Sequence, residues 1–250
     1  MGIEYIAAKL SDDEIRRIAR KTLAYYKPRP AYPINIVAIL QRGSVPTLTG
    51  AMQLRYQTVP DCDLDEYAIT DFREGERIIT ARQSVHDLAQ FGDGRSRMTL
   101  AHELAHAVLH TGAPKARGLV TQKLSFVKPF ESAERQANVF GSGFLIDDAR
   151  AAALNEADEV AVEFCVSREA ALICLERLNE RARRQEMARK LRELSADIAA
   201  SSRPPSKAQQ YADACCPRCG TKTLLAIGCK FLCTTCDAVS DSFQDGDPYP

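Results

Sequence analysis

Ile15, Ile18, Ala19, Thr22, Leu23 and Tyr26 recur at helical spacing, so the chain after Ser11 is predicted to bury one face of a helix. Ser11-Asp-Asp-Glu14 is a capping box at its start, and Pro28 and Pro30 stop it. Ile34–Leu40 is an apolar run, and periodicity does not choose between a strand and the start of a short helix. Tyr56–Val59, Tyr67–Thr70 and Arg77–Ala81 read as short strands, with turn residues at Glu74-Gly75-Glu76. Helical spacing returns at Leu100, Leu104, Ala107 and Val108, in a helix that begins near Ser96 after a loop and is stopped by Gly112 and Pro114. A second stripe, Ala133, Ala137, Phe140 and Phe144, marks a helix over Phe130–Ile146, after a loop or extended segment at Gly118–Lys128. Asp158–Leu178 reads as two helices around a Cys165-Val-Ser167 turn, with Ser167 as N-cap, and the second helix continues to about Ala200. A small sheet followed by a run of helices predicts an α+β fold.

Composition narrows the picture by exclusion. Lys plus Arg equals Asp plus Glu, 33 each in 250 residues, so no global field draws the chain to nucleic acid or to a membrane surface. No apolar run has the length of a membrane span, and the opening Met-Gly-Ile-Glu-Tyr lacks the form of a signal peptide. Of nine cysteines, five lie within Cys216–Cys236, and Cys62, Cys165 and Cys174 stand as isolated thiols, which favours a reducing cytoplasm.

The chemistry concentrates in His102-Glu103-Leu-Ala-His106, an H-E-x-x-H on the predicted helix. Histidines four apart lie on one helix face and can share a Zn²⁺, and Glu103 beside them can take a proton from water at the metal. The plain alternative is a buried helix whose histidines are only hydrogen-bonded. A catalytic zinc site needs a third protein ligand. His110 lies about 12 Å along the helix axis from His102, too far to join, and is expected to be an outer-shell or surface group. Glu134, at the start of the next helix, is the preferred third ligand, because Asn138 one turn later can orient a zinc-bound histidine. Glu131 is the competitor.

Cys216-Pro-Arg-Cys219 and Cys233-Thr-Thr-Cys236 form C-x₂-C-x₁₃-C-x₂-C, two knuckles with the spacing of a structural zinc site. Redox-active dithiol chemistry is the lesser reading. Cys215 and Cys229 are left over, and either can replace a neighbour. Asp237–Pro250 is an acidic tail expected to be disordered.

Arg97-Met-Thr-Leu-Ala-His-Glu-Leu-Ala-His, then His110, then Glu134-Arg-Gln-Ala137-Asn138-Val-Phe140 resembles the ImmA/IrrE family of metallopeptidases. The resemblance runs from the first helix to about Leu178. It implies a gluzincin-like fold, zinc on His102, His106 and Glu134, and a helical segment after the peptidase core. It also implies a protein substrate, a helix-turn-helix transcriptional repressor, cleaved in stress or mobile-element responses. Ala105 stands where the family has glycine, and Gly141-Ser-Gly-Phe-Leu-Ile-Asp replaces an Ala-rich Leu-Leu-Met-Pro ending. The C-terminal zinc ribbon lies outside the family core.

The expected organisation is a peptidase core over 1–147, a helical helix-turn-helix-like segment over 148–200, a linker over 201–214 and a Cys₄ ribbon with its tail over 215–250. The expected function is zinc-dependent endopeptidase, with one catalytic and one structural zinc and Glu103 as general base. The oxyanion needs a donor, a tyrosine or histidine from elsewhere. An edge strand near Arg77–Ala81 is expected to pair with extended substrate. The alternative is a regulator with structural zinc only, binding DNA through Asp158–Leu178 or docking a protein partner through the ribbon.

Overall fold

The computed structural model describes residues 7–27, 31–110, 132–201, 214–227 and 230–241. Within them the architecture is α+β. Helix α1 (Asp12–Tyr26) starts on the capping box: the Glu14 N–H donates to Ser11 Oγ, and the Ser11 N–H donates to Glu14 Oε2 at 2.9 Å. Its predicted stripe is buried at Ile15, Ala19, Leu23 and Tyr26. The ambiguous apolar run becomes helix α2 (Ile36–Leu40). Asn35 decides it, its side-chain oxygen accepting the Ala38 N–H at 3.0 Å as an N-cap.

A four-stranded sheet follows: β1 (Ser44–Thr47), β2 (Gly50–Val59), β3 (Ala68–Arg73) and β4 (Glu76–Arg82), in the order β1-β2-β4-β3. β2 pairs parallel with β4, and the other two pairings are antiparallel. This order corrects the expected edge at Arg77–Ala81. β4 is internal, and the edges are β1 and β3. The reason is visible in burial: Arg77-Ile-Ile-Thr-Ala81 is buried throughout, as an interior strand must be, whereas β3 is half exposed. β1 and the first half of β2 were not expected, because Pro46, Gly50 and an irregular mix of side chains hide the strand period.

Helix α3 (Gln83–Gln90) was also unforeseen, since only Val85 and Ala89 are buried along it. The H-E-x-x-H helix, α4 (Gly94–Leu109), starts earlier than Ser96, where Asp93 caps it by accepting the Ser96 N–H at 2.7 Å. Helix α5 (Ala133–Leu145) is capped by Ser132. Then come α6 (Asp148–Leu154), α7 (Ala157–Phe164) and α8 (Arg168–Ser201). The α7–α8 turn matches the expected one, with Cys165 left-handed and Ser167 Oγ accepting the Ala170 N–H.

Two glycines lie where these helices meet. A Cβ at Gly141 of α5 would stand 3.5 Å from the backbone of Ala101 and His102 in α4, so the two helices pack closely there. A Cβ at Gly94 would stand 2.5 Å from Ser167 N, so the first turn of α4 rests on the α7–α8 turn. Arg97 completes that joint. Its buried guanidinium donates to Cys165 O at 2.9 Å and Phe164 O at 3.2 Å, satisfying the last carbonyls of α7.

The chain divides into two compact units within α8, residues 1–175 and 176–250. The second unit contains the rest of α8 and an antiparallel sheet of β5 (Leu224–Ile227), β6 (Lys230–Cys233) and β7 (Val239–Asp241). The helix stops Gly112 and Pro114, the segment Gly118–Lys128, Phe130 and most of the linker and acidic tail lie outside the described residues. Among the described residues no helix is long and apolar enough to cross a membrane.

Candidate active site

Helix α4 is buried on most of its circumference, and His102, Glu103 and His106 sit in its middle. The i, i+4 spacing brings the two imidazoles together, with Nε2 atoms 3.0 Å apart. Glu134 reaches them from the first turn of α5, where a carboxylate is favoured by the helix dipole. Its Oε2 is 3.1 Å from His102 Nε2 and its Oε1 3.5 Å from His106 Nε2. Glu131 lies outside the described residues.

These distances test whether a metal fits. Two zinc bonds of about 2.0–2.1 Å meeting at the tetrahedral angle place their ligand atoms roughly 3.3 Å apart, which is the spacing observed. Hydrogen bonding supports the same conclusion. His102 Nδ1–H donates to Asn138 Oδ1 at 3.0 Å, so in the neutral ring Nε2 carries a lone pair and points it at the Glu134 carboxylate. His106 has its Nδ1 3.0 Å from His110 Nδ1, and His110 Nε2–H donates to Gln136 Oε1 at 3.3 Å. Gln136, fully buried, donates to Ala8 O at 2.8 Å. That relay leaves His106 Nε2 as a second lone pair aimed at the same point. With both rings neutral, two lone pairs and a carboxylate converge on one point, as the ligands of a metal do; without metal, protonated His102 donates its Nε2–H to Glu134.

His110 is therefore an outer-shell group rather than a surface one. The helix ends at Leu109, and His110, in extended conformation, folds its ring back onto His106 instead of advancing another turn.

Without metal the group is electrostatically tense. Burial alone would depress the His102 pKa, but the Glu134 hydrogen bond and the charges of Glu103 and Glu134 raise it. Burial, with His102 and His110 nearby, depresses His106. The hydrogen bond from His102 lowers Glu134. Glu103 behaves differently. It is 8% exposed, and burial pushes its carboxyl up to about 7 against the opposing hydrogen bond from Thr70. A carboxyl tuned near neutrality can take and return a proton.

His102, Glu103, His106, Glu134 and Asn138 all face one cleft of about 910 Å³. One wall is the β3 edge, from Glu66 to Thr70 and Phe72, and Ser167 and Glu169 at the start of α8 stand on the rim. Tyr67 is the tyrosine of this cleft, its ring flanked by the Arg82 and Arg95 guanidiniums at 5.2 and 5.4 Å. Thr70 was missed from the sequence, since a threonine in a strand carries no sign of what it will face.

Residues 89–176 match the model of the Peptidase_M78 family, described as the IrrE N-terminal-like domain. That stretch is similar to the peptidase domain the family describes. The match ends where the first compact unit ends, and it does not include the sheet that supplies the cleft wall. No curated protein matches the chain.

In the second unit the four predicted cysteines come together. Sγ atoms of Cys216 and Cys236 are 3.7 Å apart, and those of Cys219 and Cys233 are 3.6 Å apart. Zinc–sulfur bonds of about 2.3 Å in a tetrahedron set sulfurs roughly 3.8 Å apart, so this cage also fits zinc. Burial works to raise Cys233, yet hydroxyls of Thr223 and Thr221 and knuckle N–H groups bring its thiol down to about 6, towards the thiolate a metal needs. Cys215 is exposed and outside the cage, and Cys229 lies outside the described residues.

Proposed function

We propose that the first unit is a zinc-dependent endopeptidase, with His102, His106 and Glu134 as zinc ligands, Glu103 as general base and Asn138 as the group that orients His102. The observation that carries this is the convergence of two histidines and a carboxylate beside the buried Glu103 carboxyl. Bound there, zinc would supply Lewis acidity, acidifying water and polarising the scissile carbonyl. Glu103 takes the proton of the attacking water and delivers it to the leaving amine. The β3 edge accepts an extended substrate by strand addition, so cleavage falls in loops or linkers rather than packed helices.

The substrate we propose, on the family resemblance, is a helix-turn-helix repressor, cut in a stress or mobile-element response in the cytoplasm. The ribbon, beyond a linker at 201–214, carries a structural zinc on Cys216, Cys219, Cys233 and Cys236 and docks a protein partner. The alternative DNA-binding reading has the α7–α8 pair in its favour. Against it, the start of the second helix, the reading end of such a pair, lies on the cleft rim and against α4.

The test compares cleavage of a candidate repressor by the zinc-loaded wild type and by Glu103→Gln. Glutamine keeps the shape but cannot accept the proton, so hydrolysis should fall about 10²–10⁴-fold with metal content unchanged. Full activity in the variant would end the peptidase assignment.

A further inference from the structure

Glu103 is the group whose orientation matters most to the proposed chemistry, yet none of the ligand contacts hold its carboxylate. The contact that does comes from the sheet. Thr70 Oγ1 lies 2.7 Å from Glu103 Oε2 and 3.0 Å from Glu103 O. The first distance is that of a short, charge-assisted hydroxyl–carboxylate bond. The second puts the Glu103 main-chain carbonyl within reach of the same single hydroxyl proton, which the shorter contact directs mainly to the carboxylate.

The position of Thr70 adds to this. It stands in β3, opposite Ile79 of β4, and β3 is an edge strand of the sheet, the one that lines the cleft. Side chains alternate along a strand, so Ala68, Thr70 and Phe72 share one face, and all three line the cleft. Thr70 thus belongs to the edge available to an extended peptide while its side chain holds the carboxylate that would act on that peptide. A valine is nearly the same size and suits a strand as well, so packing and β-propensity do not demand a hydroxyl here.

We propose that Thr70 is a positioning residue for the reaction: its hydroxyl fixes the Glu103 carboxylate against α4 and keeps it in register with a substrate strand lying on β3. This rests on the peptidase reading of the site. Such a role predicts a loss in turnover without a loss in metal or substrate binding, because misplacing a reacting group by an ångström costs on the order of 10²-fold in rate.

The experiment uses the zinc-loaded full chain as wild type, Thr70→Val and Thr70→Ser. The side-chain carboxyl of Glu103 is followed by ¹³C NMR in glutamate-labelled protein, with Glu103→Gln to assign its resonance. That resonance should move in Thr70→Val and return in Thr70→Ser, and an unmoved resonance in Thr70→Val overturns the proposal. In kinetics, Thr70→Val should lose about 10–100-fold in kcat at unchanged KM and zinc content, with most of it restored by serine. A rise in KM alone, or a serine variant as poor as valine, also overturns it. Hydrolysis indifferent to Glu103→Gln would sink the peptidase reading alone, and the resonance would still decide whether Thr70 holds Glu103.

Discussion

The two metal-fitting clusters are built in opposite ways. In the first unit, the ligands hang on helices that are buried without them: Leu100, Leu104, Ala137, Phe140 and Phe144 are all inaccessible. In the second, the buried core around the cluster is Cys216, Cys219, Leu224 and Cys233, so three of its four members are the ligands themselves. The first cluster sits on a core of its own; the second has little buried core besides its cysteines, so a metal bound there would supply its folding free energy. The difference also shows in ligand chemistry. The thiolate cage is closed by four protein ligands. The His-His-Glu group provides three, with Glu103 in the same cleft, and leaves room for a reacting molecule.

The largest effect should come from removing metal. Chelation, or Cys216→Ser, should unfold the β5–β7 sheet outright, since a structural zinc contributes about 10–16 kcal/mol. The first unit should keep its helical signal and its own melting transition. His102→Ala should do the reverse, emptying one site while the ribbon keeps its zinc. Metal analysis with circular dichroism reads both, and a first unit that collapses on chelation would erase the contrast.

A smaller effect separates ligands from their supports. Glu134→Gln removes a charged ligand and should lower zinc affinity at the histidine site more than Asn138→Ala does. The latter should cost about 10–100-fold, as outer-shell partners generally do. Competition with a chromogenic chelator ranks them. Equal affinities for wild type and Glu134→Gln would move the third ligand elsewhere, with Glu131 next.

The smallest effect is in pH. The Glu103 carboxyl is raised to about 7 from an ordinary 4.5, so the folded state holds a proton the unfolded state has lost. In metal-free protein this contribution falls as pH rises from about 4.5 to 7, and the full cost remains above that. Glu103→Gln mimics the protonated form, so its gain in Tm over wild type should be larger at pH 8 than at pH 5. Equal gains at both values would show that burial does not tune this group.

What the sequence by itself determined is local. His102, Glu103 and His106 share a helix turn, and each Cys-x-x-Cys closes its own knuckle, because spacings of three and four residues fix geometry without help from the rest of the chain. Asn35 and Asp93 could have settled α2 and the start of α4 by the same logic, as N-caps visible in the sequence. The continuous burial of Arg77–Ala81 had only a partial sequence sign, the Ile78-Ile79 pair, because Arg77 and Thr80 read as residues of an exposed face. Tertiary structure decided the rest. Glu134 and Asn138 reach the histidines only because α5 packs against α4. His110 turns inward because α4 ends at Leu109 and Gln136 waits in the core. Thr70 finds Glu103 across a sequence separation of 33 residues. That meeting depends on how a strand registers and how a helix packs over it, and neither is encoded in any short stretch of chain.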